Sequence, residues 1–187
     1  MADTVVKDPI RDFLFDVADT DKAYYVSALK VLFVLKVDMD HSGHEAILLS
    51  LGGYGGKGGN IWEVYLPAKD GYKKVLPGGD DPLYFRGDMF YVGYVERVKQ
   101  YGLLAFSPAQ EGGELRFFRI VDGVIKVEKI GEVHAGNQKD RMEMEKYFGK
   151  RDENRSQREH PVTRLGIDDL KKLGYDVDAA VRAAAAR

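Results

Sequence analysis

The chain has 187 residues, 44% hydrophobic, 11% aromatic and 31% charged, with a formal net charge of −2 and no cysteine. This excludes a disordered chain and suits one domain with at most a small appendage. There is no basic field to gather nucleic acid or anionic lipid and no thiol for catalysis, zinc or disulfides; no apolar run approaches the roughly 18 residues of a membrane span, so membrane insertion is not expected.

Along the chain, the spacing of Ile10, Phe13, Leu14 and Val17, with Pro9 suited to a first turn, predicts a leading helix over 8–23. Residues 24–37 alternate valine, leucine and aromatics in their second half and read as a long strand, and 46–50 as a short apolar one. Further strands are expected over 60–66, 73–76, 88–95, 102–107, 114–121 and 124–130, separated by Gly, Pro and Asp turn signals. Asp122-Gly123 is a strong hairpin signal, since this pair readily adopts positive φ. After about Gly136 the pattern changes: 138–148 reads as a charged helix, 150–160 as a polar linker, and Gly166 onward as two short helices, the last opened by an Asp176 cap. The expected class is α+β, mainly β: an antiparallel β-meander with flanking N- and C-terminal helices, divided into a β-rich part over 1–136 and a helical extension over 137–187.

The most informative segment joins the first two long strands: Asp38-Met39-Asp40-His41-Ser42-Gly43-His44-Glu45. Calcium loops place oxygen ligands on alternate residues, with a glycine at the sixth position for the sharp turn. Asp38, Asp40 and Ser42 stand at positions one, three and five, Gly43 at six, and His44 offers its carbonyl from seven. The twelfth position holds Leu49 rather than an acid, so the segment is not an EF-hand. The alternative is a hydrogen-bonded turn with no ion, since Asp and Ser cap turns unaided.

The run 37–49, an apolar strand entering an acidic glycine turn and leaving as a second apolar strand, resembles the calcium loops of FG-GAP or VCBS-type repeats. Gly59-Asn60-Ile61-Trp62-Glu63-Val64-Tyr65 resembles the strand that follows in some exported bacterial proteins. This chain departs from that pattern in two places: Ser42 replaces the third acid, and the closing acid Glu45 falls one position early. The resemblance implies calcium at Asp38, Asp40, Ser42, His44 and Glu45, and a periplasmic or secreted location, although no signal peptide is visible.

The glycine-rich run 52–59 satisfies Gly-x-Gly-x-x-Gly at Gly53, Gly55 and Gly58, but a strand rather than a helix is expected next and Lys57 lacks the following Ser or Thr of a nucleotide loop. Gly53, Tyr54, Gly55 and Lys57 are expected instead to form a loop facing a ligand or partner. His41, His44 and Glu45 lack the helical spacing of a zinc site, and His134 and His160 fit no ligand or base pattern. No nucleophile elbow is present. Tyr54, Tyr65, Tyr72, Tyr84, Tyr91, Tyr94 and Tyr101 crowd the middle of the chain, either as half-buried sheet residues or as a face for a protein or carbohydrate partner; Trp62 is expected in the core. The functional expectation is a non-enzymatic calcium-binding recognition or structural domain of the bacterial envelope. The alternatives are an inhibitor or immunity-like protein that inserts a loop into an enzyme, and a hydrolase whose carboxylates cluster only in space.

Overall fold

The computed structural model describes residues 5–20, 31–52, 58–75, 82–150 and 155–185. In chain order the strands are β1 (Val5–Val6), β2 (Val31–Val37), β3 (Ala46–Leu51), β4 (Asn60–Ile61), β5 (Glu63–Ala68), β6 (Gly71–Val75), β7 (Tyr84–Phe85), β8 (Phe90–Val95), β9 (Gln100–Ala109), β10 (Gly112–Val121), β11 (Val124–His134) and β12 (Thr163–Gly166). The helices are α1 (Pro9–Thr20), α2 (Gln138–Phe148), α3 (Arg155–Glu159), α4 (Ile167–Lys172) and α5 (Val177–Ala185). The larger sheet runs β1-β6-β5-β3-β2-β12, the second runs β11-β10-β9-β8, and β4 pairs with β7 in a two-stranded ribbon. All pairings are antiparallel. The class is therefore α+β and mainly β, as the strand spacing implies.

Alternation within the strands stacks the molecule in layers, because successive side chains point to opposite faces. Leu35 and Val37 of β2 and Leu48 of β3 join Phe90, Leu103, Ala105 and Phe118 in a core between the two sheets. Leu32 and Val34 of β2 and Ile47 and Leu49 of β3 face the other way, against Phe13 and Leu14 of α1, Leu170 of α4 and Val177 and Ala180 of α5. The outer face of the second sheet, with Leu104, Phe106, Leu115 and Phe117, is covered by Phe148 of α2. Nearly every buried position is apolar because both faces of both sheets are covered in this way.

Several local readings hold. The leading helix forms, and the structure adds a cap not read from the sequence: Asp8 Oδ1 accepts from the amides of Ile10 (3.1 Å) and Arg11 (3.2 Å) at the head of α1. Asp176 caps α5 by accepting from Ala179 N at 2.8 Å. Asp122 (φ 51°) and Gly123 (φ 73°) make the tight turn between β10 and β11. Trp62 is 3% exposed and donates its indole N–H to Phe85 O at 3.2 Å.

Others need correction. The strand expected over 60–66 is broken at Trp62: Asn60–Ile61 pairs with Tyr84–Phe85, whereas Glu63–Ala68 joins the larger sheet. Trp62 N instead donates to Leu83 O at 2.8 Å, which turns the chain between the two sheets. The segment expected as a linker over 150–160 contains α3, and Thr163–Gly166 is a strand that pairs with β2. Of the strand expected over 24–37, residues 24–30 lie outside those described. No helix among the described residues is long and apolar enough to cross a membrane.

Candidate functional site

The acidic turn closes on the last pair of the β2–β3 ladder, Val37 with Ala46. Asp38 Oδ1 accepts from Ser42 N at 3.0 Å and its Oδ2 from Gly43 N at 2.8 Å, while Asp40 Oδ1 accepts from the same Ser42 amide at 3.2 Å. Two carboxylates thus converge on one N–H. Ser42 Oγ accepts from His44 N at 3.3 Å. Gly43 sits at φ 83°, where it carries no Cβ penalty, and His41 tolerates φ 60° beside it. Burial pushes the Asp38 carboxyl up, but the amides of Gly43 and Ser42, with help from Asp40 and His41, outweigh it and hold the group below the usual carboxylate value.

Two anchors fix the turn to the body. Met39 is 1% exposed and fills the core between the sheets. On the other side, the His41 ring stacks on Tyr101 of β9, with centroids 4.5 Å apart and planes 6° apart. Tyr94 of β8 meets Tyr101 edge-on at 5.3 Å, and the two tyrosines are cross-strand partners, 42% and 44% exposed. One end of the sandwich therefore carries an acidic lip from the larger sheet and an aromatic lip from the second. The ring contact joins residues sixty positions apart, so no local pattern announces it.

Asp40, Ser42, His44 and Glu45 are exposed. Among the described residues, no lysine or arginine pairs with Asp38, Asp40 or Glu45. Nor do the described residues contain a group of three or more His, Asp or Glu side chains gathered closely enough to hold a metal ion. Any cation at this turn must draw on hydroxyl and carbonyl oxygens as well as the two converging carboxylates, ligand types that calcium accepts. Gly53, Tyr54, Gly55 and Lys57, the expected partner loop, lie outside the described residues.

The chain matches no protein-family model, and no curated protein or solved structure is significantly similar to it. Its chemistry must be read from its own residues.

A second polar cluster, with no signature in the sequence, lies beneath α1. Tyr65, wholly buried, has its hydroxyl 3.0 Å from Asp12 Oδ2 and 3.2 Å from Glu63 Oε2. Lys74 Nζ reaches Glu63 Oε2 at 2.8 Å and Asp16 Oδ2 at 2.5 Å. Burial pushes the Glu63 carboxyl up further than Lys74 brings it down, and burial together with Glu63 and Asp12 keeps the Tyr65 phenol protonated. This clustering is what the hydrolase alternative asks for. A cleft of about 350 Å³ does open beside α1, but Asp8, Arg11, Leu14, Phe15, Tyr175 and Asp176 are among its walls, and none of Asp12, Asp16, Glu63 or Tyr65 lines it. His134 is occupied on the surface, its Nδ1 3.0 Å from Asp140 Oδ2, and His160 packs near Phe90 at 6.3 Å.

Proposed function

We propose that this chain is a non-enzymatic recognition domain of the bacterial envelope that takes a calcium ion at the 38–45 turn and offers the neighbouring aromatic lip to a partner. The stack of His41 on Tyr101 carries this reading, since it puts the acidic turn and an exposed tyrosine pair at the same end of the sandwich. Anchored by Met39 and His41, the turn is ordered before any ion arrives, so binding carries a small ordering cost. Three carboxylates without a basic partner among the described residues leave a negative surplus that a hard cation relieves. The exposed rings offer broad contact area at low entropic cost to a sugar ring or an apolar side chain.

Thermal unfolding of chelator-treated protein, with and without calcium, tests the metal half of the proposal. At calcium a hundredfold above the dissociation constant, the folded state gains about 2.7 kcal/mol, or a rise of about 5–10 °C in Tm for a chain of this size. The informative variant is Asp40→Asn with Glu45→Gln, which removes two charges yet leaves both Asp38 hydrogen bonds in place. It should keep the calcium-free Tm and lose the calcium response. An unchanged Tm on adding calcium to the parent chain reduces the segment to a hydrogen-bonded turn.

A further inference from the structure

The cluster beneath α1 draws five side chains from three elements into one line of contacts. Asp12 and Asp16 share a face of α1 by their i, i+4 spacing, Glu63 and Tyr65 share a face of β5, and Lys74 stands opposite Tyr65 in the β5–β6 register. The order is Asp12, Tyr65, Glu63, Lys74, Asp16, each within hydrogen-bond distance of the next.

Proton counting shows what this line lacks. A neutral phenol has one O–H to donate, yet the Tyr65 oxygen lies against a carboxyl oxygen on each side. With all three carboxyl groups ionised, one of those two contacts is a bare oxygen–oxygen approach. That approach lies in a partly desolvated place, where an unrelieved contact between polar oxygens is costly. A single added proton relieves it. Glu63 is placed to take that proton: its carboxyl touches Tyr65, and with its side chain 19% exposed against 43% for Asp16, burial outweighs the opposing pull of Lys74.

We propose that this network is a proton-operated latch on α1, in which Glu63 takes up a proton when the helix is docked, so that α1 sits most firmly on the sheet in mildly acidic solution and loosens as the pH rises. Among the described residues, the groups acting on Glu63 are Asp16 from α1, Lys74 from β6 and Tyr65 on its own strand. The β3 residue opposite it is Leu49, which is apolar. At α5, which packs along α1, the capping Asp176 pairs with Arg182 and Asp178 with Lys171. Because the docked Glu63 binds its proton more tightly than a carboxyl at the ordinary 4.5, its contribution is complete below that pH and fades as the pH climbs through the docked value. Phe13 and Leu14 ride on the same helix, so its loosening uncovers the apolar face of the larger sheet.

Hydrogen exchange of the α1 amides in the whole chain, corrected for intrinsic pH dependence, reads the latch directly. Protection should fall as the pH is raised from the acid side, by up to tenfold for each unit that the Glu63 midpoint stands above 4.5. Glu63→Gln, neutral at every pH, should hold protection flat. A carboxyl-carbon NMR titration of Glu63 in the unaltered chain gives a second readout that does not depend on the variant folding. A midpoint above the ordinary value with protection tracking it supports the latch. A midpoint at or below the ordinary value, or pH-independent protection in the parent chain, overturns it.

Discussion

Asp38 commits both carboxylate oxygens to the amides of Ser42 and Gly43, which makes it a structural residue whatever ion the turn takes. Asp38→Ala should therefore lower stability by about 1 kcal/mol even in chelator, the usual worth of a side-chain cap on free amides, read from the urea midpoint. Its pH dependence has a definite sign. A carboxyl held below its ordinary 3.8 stabilises the fold above that value and loses the effect as the pH falls through the depressed one, so Asp38→Ala should flatten the acid limb. An equally steep limb in the variant would show that the two amide bonds do not govern it. Asp38, Ser42 and Gly43 are legible in the sequence because turn chemistry is local. The partner of His41 is not, because Tyr101 arrives only when the two sheets pack.

Among the elements, those whose signals lie within a few residues can be read directly from the chain. Asp122-Gly123 specifies its hairpin alone, since both central residues adopt positive φ. Gly123→Ala should cost about 1–2 kcal/mol through left-handed strain, although an added Cβ would meet no atom within 4 Å, and should lower Tm by roughly 2–8 °C. A Tm unchanged by this substitution would mean the turn relaxes at no cost. By contrast, the break at Trp62 cannot be read from an unbroken apolar run: Trp62 N turns aside to Leu83 O, and that carbonyl is supplied by a segment twenty-one residues later. The strand β12 escapes a sequence reading for a related reason. Four residues carry too little periodicity to announce a strand, and their place is fixed by pairing with β2.

At the scale of the whole molecule, α1 and the larger sheet are joined through ionisable groups as well as apolar ones, so global stability should respond at the alkaline end. The Tyr65 phenol is held protonated above its ordinary 10.0, and Lys74 above its ordinary 10.5 by hydrogen bonds to Asp16 and Glu63 that outweigh its burial. For groups raised in this direction, stability is complete below the ordinary value and is lost as the pH rises past it. Urea midpoints should fall from about pH 9 to about pH 11, and Tyr65→Phe should lessen the fall while leaving the Lys74 part. Identical slopes in the two proteins would remove Tyr65 from the account.

The sequence by itself determined the class, most strand and helix positions, the cap at Asp176 and the shape of the acidic turn, because each follows from alternation, helical spacing or hydrogen bonds that span a few residues. Only the tertiary structure decided that β12 returns to the edge of the larger sheet, that His41 meets Tyr101, and that Asp12, Asp16, Glu63, Tyr65 and Lys74 form one network. These contacts cross long stretches of chain. They exist because burying both faces of each sheet leaves few ways to stack the layers, and the side chains at the seams take whatever partners that stacking brings.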